Sequence, residues 1–349
     1  MSVKSIVIVN PNSKGGQTGK NWDSLKDILQ KYFGNDLEFV FTEKSGDGTL
    51  ITQRYLEKGY GNIIPIGGDG IINEVGNGFF RNLSNDKFDK IDLMTVEYDK
   101  ILSLTELDQI NSDSTLTILP GGTRNVLVKS LGLPSDFEEC CKYLSESTIT
   151  TTSTVDVISA VVKVSTENLS GNQFRIFLNA AEIGLGAEII EKGKMIRDQI
   201  SSRILSTITS IVVTLPVYKS NGCQIIEGST TSQKIVNNLT TNMTMGVVSN
   251  GTFLGGGFQI ATRADVSDGL LDTVVIKNSD SFKILQKLVN IKKGEEAIDS
   301  EDDIYYGQSQ TVSWLTDFQN NITVSLDGEP VGILPAFFRV HPKCLKIKI

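Results

Sequence analysis

Three short segments set glycines among polar side chains immediately after apolar runs. GGDGIINE, Gly67 to Glu74, follows NIIPI; NPNSKGG, Asn10 to Gly16, follows SIVIV; and LPGGTRN, Leu119 to Asn125, follows TLTI. Glycine lets a backbone turn sharply, and where a helix begins after the turn the free amides face outward, an arrangement that suits a phosphate group. Asp69 stands at the middle turn, where it could reach a phosphate-bound Mg²⁺ or an attacking hydroxyl. It equally suits an ordinary strand–helix turn with a solvated aspartate. In the first segment Asn10, Pro11, Asn12, Ser13 and Lys14 offer side chains fit for phosphate oxygens, with Lys20 nearby; a plain surface loop is the alternative. The Walker A pattern fails here, because Lys14 stands where its first glycine belongs and Asn21 where its Ser or Thr belongs. Recurrence of one design after three separate strands favours a shared phosphate site over three unrelated loops.

Two acidic segments lie later in the chain. NGTFLGGGFQIATRADVSDGLLD holds Asp265, Asp268 and Asp272 around a turn, an oxygen-rich spacing that fits a hard cation with backbone carbonyls completing the set. SDGLLD also reads as a simple turn between strands. SLDGEPVG puts Asp327 and Glu329 on either side of Gly328, as a general base and its partner would stand, or as an exposed β-turn would.

Composition narrows the chemistry. The 349 residues carry a formal net charge of −8, which argues against a broad nucleic-acid footprint. One histidine, His341, and four cysteines without metal-ligand spacing leave no conventional zinc site and no histidine-based hydrolase. The cysteines read as reduced thiols of a cytosolic protein. The first residues read as a strand, not an export signal. No run reaches the ~18 apolar residues of a membrane-spanning helix. Carboxylates, amides, lysines and a hard cation are what remain.

The elements that must position these groups alternate at first. SIVIVN, LEFVFT and NIIPI read as strands; Trp22, Leu25, Ile28, Leu29 and Tyr32 recur on one helical face; TLITQRYLEKGY and GIINEVGNGFF read as further helices. Such alternation implies a parallel sheet flanked by helices, with ligands beyond the carboxyl ends of its strands. After about Pro134 short β-rich runs dominate and suggest an antiparallel β-sandwich. The expected division is an α/β nucleotide-binding domain over residues 1–133 and 338–349 and a β-sandwich substrate domain over 134–337, with residues 82–114 a polar insertion.

The order of NPNSKGG, Thr42, GGDGIINEVGNG, LPGGTRN, NAAEIGLGAE, NGTFLGGGF, SDGLLD and DGEP resembles the diacylglycerol kinase catalytic-domain family of soluble lipid kinases, related to sphingosine kinases, from about residue 5 to 332. The resemblance implies ATP as phosphate donor, a lipid hydroxyl as acceptor, and an active site in the cleft between two domains. It implies nucleotide contacts from Asn10, Pro11, Asn12, Ser13, Lys14, Thr42, Gly67, Gly68, Asp69, Gly70, Ile71, Ile72, Asn73 and Thr123. A structural Mg²⁺ would sit on Asp268 with the carbonyls of Asp265 and Leu270. Glu329 would accept the proton, with Asp327 beside it and Asp69 among the catalytic groups. Ile71 stands where the family has threonine, and Val126 where many members have aspartate.

Two other readings share these motifs. NAD kinase has a GGDG and a similar two-domain plan, and a non-catalytic nucleotide-binding regulator could keep the fold. A cytoplasmic enzyme acting on lipid needs a membrane-facing surface, and EKGKMIRDQISSRILSTITSIVV offers Lys192, Lys194, Arg197 and Arg203 beside an apolar run. A core helix with a solvated face has the same pattern.

Overall fold

The computed structural model describes residues 3–81, 85–146, 152–166, 169–197, 209–211, 213–232, 234–255, 257–277, 303–316 and 321–349. It divides into two compact units. The first comprises Met1–Leu83, Leu107–Val157 and His341–Ile349; the second comprises Ser84–Glu106 and Ile158–Val340.

The first unit is built on parallel strands β1 (Ser5–Val9), β2 (Glu38–Phe41), β3 (Asn62–Ile66) and β4 (Thr115–Thr117). β1 lies between β2 and β3, β4 pairs with β3, and Lys346–Lys348 at the chain end pair in parallel with β4. Ile6, Val7, Ile8, Ile63, Ile64 and Ile66 are wholly buried. That is why these strands read as continuous apolar runs, not as alternating ones. The intervening helices are α1 (Trp22–Phe33), α2 (Asp47–Glu57), α3 (Asp69–Asn77), α4 (Val126–Ser130) and α5 (Phe137–Glu146).

The domain limits expected from sequence need correction in three places. α5 belongs to the first unit: Glu138 receives Lys31 Nζ at 2.8 Å and Tyr32 Oη at 3.2 Å from α1, while Cys140, Cys141 and Leu144 are buried. The change of texture at Pro134 is therefore a loop before one more α/β helix, and the boundary falls at Val157. At the far end the limit lies at Val340 rather than residue 337. The polar insertion is also split. Residues 84–106 group with the second unit, whereas 107–114 stay with the first.

The second unit is antiparallel. Its strands are β5 (Thr152–Thr166, entering from the first unit), β6 (Leu169–Phe177), β7 (Ala180–Gly184), β8 (Asn221–Ser229), β9 (Lys234–Ser249), β10 (Leu271–Lys277), β11 (Ile304–Ser309), β12 (Thr311–Thr316), β13 (Thr323–Leu326) and β14 (Glu329–Lys348). Helix α6 (Leu185–Arg197) follows β7. β9 is long enough to divide its partners: Lys234–Met243 pair with β8, and Met245–Ser249 pair with β7. β8 then pairs with β12, β12 with β14, β14 with β13, and β13 with β7. This path closes on itself, so the strands of the expected β-sandwich join in a ring, leaving fewer free edges. Trp314, Phe177 and Phe338 fill the interior. Trp314 packs so close to β9 that a Cβ at position 246 would lie 2.4 Å from its ring, a contact only Gly246 permits.

The segment 85–106 is fastened to this unit by side chains that no local pattern announces. Asn172 Nδ2 donates to the carbonyls of Phe88 at 2.8 Å and Ile91 at 2.6 Å, and Phe88 stacks on Phe174 at 4.8 Å. Arg339 donates to Leu102 O at 2.6 Å and Glu106 Oε1 at 2.7 Å, and Tyr98 Oη meets Thr311 Oγ1 at 2.8 Å.

Candidate functional site

The three glycine-bearing turns of the first unit meet at the carboxyl ends of β1, β3 and β4. A Cβ at Gly67 would lie 2.6 Å from Ser13 Oγ, so the first turn rests directly on the second. A Cβ at Gly121 would lie 2.6 Å from Gly67 N, and one at Gly122 would lie 2.5 Å from Gly68 Cα, so the third turn rests there too. At Gly121 and Gly122 backbone packs on backbone, and at Gly67 the Ser13 and Ile71 side chains close in, which explains glycine at each. Around them the turns brace themselves. Asn10 Oδ1 accepts from Asn12 N at 3.0 Å, Asn125 Oδ1 accepts from Gly122 N at 2.8 Å, and Lys14 has φ of 54° ahead of two further left-handed glycines. Lys14 and Thr123 are exposed beside the packed glycines.

Asp69 does not stand as a free carboxylate. Its Oδ1 accepts from Val126 N at 2.8 Å, across from the second turn to the start of α4. Burial pushes its carboxyl above the ordinary range, while the Val126 and Leu127 amides pull it back. The group is a clasp between two turns. Thr42 is buried and its hydroxyl donates to Val9 O at 3.4 Å, closing the end of β1. Ile71 and Ile72 turn their side chains into the core, at 3% and 2% exposure, so only their backbone can face a ligand. A threonine at 71 would place its hydroxyl in that apolar contact. Asn73 accepts from Asn77 Nδ2 at 3.0 Å.

Glu74 was not singled out from sequence, yet it carries a neighbouring turn. Its two oxygens accept from Gly46 N at 2.9 Å and Gly48 N at 3.0 Å at the start of α2.

In the second unit, Asp327 and Gly328 have φ of 48° and 80° between β13 and β14, the twist-matched two-residue turn for which Asp-Gly is favoured. The pair of carboxylates expected here does not act as a pair. Asp327 Oδ1 accepts from Asn179 N at 3.0 Å and Ala180 N at 3.1 Å, and Oδ2 accepts from Leu178 N at 3.0 Å. Three successive amides occupy it, so its carboxylate clamps that segment. The same NAAE segment is bound from the other side, where Asn250 N donates to Asn179 O at 2.7 Å and Asn250 Nδ2 to Leu178 O at 2.8 Å. Glu329 is different: its side chain is 52% exposed and pairs with Lys194 of α6.

The acidic loop before β10 has the donor set of a hard-cation site. Asp265 Oδ1 accepts from Ser267 N at 2.9 Å and Asp268 Oδ1 from Leu270 N at 2.9 Å. Burial, with Asp265 adding to it, pushes the Asp268 carboxyl up. Asp272 is 1% exposed, and its Oδ2 has no hydrogen-bond partner. Crowded carboxylates with an orphaned buried oxygen are what a Mg²⁺ would relieve, so the residues fit the ion. Among the described residues no three acidic, histidine or cysteine side chains assemble a site by themselves, so carbonyls such as those of Asp265 and Leu270 would have to join.

Of the basic residues expected to face a membrane, Lys192 pairs with Glu188 at 3.5 Å and Lys194 with Glu329. The side chain of Arg197, all of Arg203, and most of the apolar run after it lie outside the described residues. No helix among the described residues is long and apolar enough to cross a membrane.

A parallel α/β unit with converging glycine turns and a ring of antiparallel strands with an acidic turn make up the fold. Residues 4–158 match the diacylglycerol kinase catalytic domain, and residues 198–349 match the YegS C-terminal NAD kinase beta sandwich-like domain. The chain is 26% identical over 344 residues to the "Probable lipid kinase YegS" of Escherichia coli O9:H4, covering 93% of this chain and 95% of that protein. It is 23% identical to the "Probable lipid kinase YegS-like" of Shewanella frigidimarina, covering 95% and 90%. Among solved structures, a diacylglycerol kinase from Bacillus anthracis has a TM-score of 0.63 at 21% identity, covering 99% of this chain and 96% of that one. Yeast NADH kinase in complex with NADH has a TM-score of 0.50 at 9% identity, covering 99% and 83%. At these identities the two structures speak for the fold.

Proposed function

We propose that this chain is a lipid kinase that transfers the γ-phosphate of ATP to a hydroxyl of a diacylglycerol-like or related lipid. The observation that carries the reading is the mutual packing of three glycine turns at one edge of the parallel sheet, locked by Asp69. Glycine turns gathered at strand ends suit a ligand that backbone amides approach closely, such as a triphosphate. In the proposed reaction the residues Asn10 to Lys14, Gly67 to Asn73 and Thr123 hold the nucleotide, with Thr42 shaping the pocket from β2. The lipid hydroxyl oxygen bonds to the γ-phosphorus as the bond to ADP breaks, and Glu329 accepts the hydroxyl proton. Asp268, with the carbonyls of Asp265 and Leu270, would hold Mg²⁺, which when bound supplies positive charge against the phosphates. Positioning and charge stabilisation provide the rate.

Lipid access calls for a peripheral surface. Met195, Val213 and Val217 are 65%, 54% and 68% exposed, and Gly193 of α6 faces Ser210, which brings the two helical stretches together. We assign this apolar patch to transient contact with a bilayer.

The likeness to NADH kinase favours one second reading, phosphorylation of a dinucleotide ribose. Incubating the protein with radiolabelled ATP and, side by side, NAD, NADH and a total lipid extract separates them. Label in a chloroform-soluble product supports the lipid reading; label only in a dinucleotide overturns it.

A further inference from the structure

Glu329 is held by a cation that stands on an exposed surface. Lys194 donates to Glu329 Oε2, and the side chains are 40% and 52% exposed. One residue along α6, Met195 is 65% exposed, and the apolar side chains of Val213 and Val217 are open as well. Lys194 and Met195 are adjacent positions of α6, whose Gly193 lies near Ser210 of the stretch carrying Val213 and Val217. Lys192, two residues away, already has Glu188 as a partner on its own helix. An ion pair this exposed alters an equilibrium by no more than about fivefold, so a competing anion can take it apart. Near an anionic bilayer that competition is strong, because lysine is drawn to phosphodiester oxygens and the local potential favours it. A carboxylate engaged by lysine offers one fewer lone pair to an incoming hydroxyl proton.

We propose that Lys194 is an anion-responsive positioning residue: it restrains Glu329 until the phosphate of an anionic lipid headgroup draws it away. This rests on the reading of Glu329 as proton acceptor. The wild-type enzyme is then slow on an acceptor dispersed in neutral lipid and faster when anionic lipid is present, through Lys194 as well as through tighter binding.

The test uses full-length protein, the acceptor found in the extract screen, and saturating vesicles of phosphatidylcholine with or without phosphatidylserine. Lys194→Gln is expected to raise kcat in neutral vesicles two- to fivefold with little change in KM for ATP, and to lose that much of the stimulation by phosphatidylserine. Lys194→Arg should behave as wild type. Wild-type kcat and undiminished stimulation in Lys194→Gln would overturn the proposal, and so would a lower kcat in both vesicles. Stimulation of the wild type by inorganic phosphate in neutral vesicles, equal to that by phosphatidylserine, would overturn the headgroup assignment. Glu329→Gln serves as the separate control: full activity in that variant removes the proton acceptor itself, whatever Lys194 does.

Discussion

Replacing Asp327 should cost stability out of proportion to its place in a surface turn. Its carboxylate receives the amides of Leu178, Asn179 and Ala180, and these three residues are 2%, 5% and 1% exposed. Asp327→Asn keeps Oδ1 for two of the amides and tolerates the left-handed backbone, but it turns an NH₂ toward the Leu178 amide. One buried donor then faces another donor, a loss of about 2–3 kcal/mol. Asp327→Ala orphans all three amides, and with partial rehydration about 4 kcal/mol is expected. Either is a large share of the roughly 5–15 kcal/mol that holds a typical domain. Urea unfolding can be followed by Trp314, which is wholly buried in the second unit, in a Trp22→Phe background that silences the other tryptophan. With a slope of about 2 kcal/mol/M, Asp327→Asn should lower the midpoint by about 1–1.5 M. Glu329→Gln, altering an exposed pair, should move it by less than about 0.3 M. If Asp327→Asn unfolded where the wild type does, the amide clamp would be wrong and a chemical part for Asp327 would return.

Gly121→Ala should push the third turn off Gly67 and weaken ATP at least about tenfold by calorimetry, because the new methyl meets backbone rather than a movable side chain. Asp69→Ala, which unties α4 from the second turn, should also weaken ATP about tenfold in the same measurement while leaving Mg²⁺-dependent changes in melting temperature intact. Cys140 and Cys141, pushed up to about 12 by burial, and Cys223, pushed up to about 11, should resist Ellman's reagent at pH 8. One fast thiol, Cys344, is expected in the native protein and four after unfolding.

The part of this molecule legible in its sequence is the part governed by local pattern. The first-unit strands are continuous apolar runs, and each phosphate-type turn announces itself by glycines directly after one of them. Asn179 and Asn250 both stand in motifs, but the bond from Asn250 N to Asn179 O lies far beyond any local period. Asp327 was read as half of an acid pair because spacing shows neighbours two residues apart. Its donors lie 147 to 149 residues upstream, and no spacing rule reaches them. The boundary at Pro134 was misjudged for a related reason. α5 follows a loop that looks like a linker, and its membership is decided by Glu138 meeting Lys31 and Tyr32 of α1. What anchors the excursion through residues 85–106, Asn172 and Arg339, is supplied by strands elsewhere in the chain.

The most direct test is turnover of Glu329→Gln beside its affinity for ATP. A fall in lipid phosphorylation of at least about a hundredfold, with ATP binding within about twofold of wild type, is the predicted result, since removal of a general base costs about that much. Wild-type lipid phosphorylation by the variant, or failure of the wild-type protein to bind ATP at all, would contradict the account.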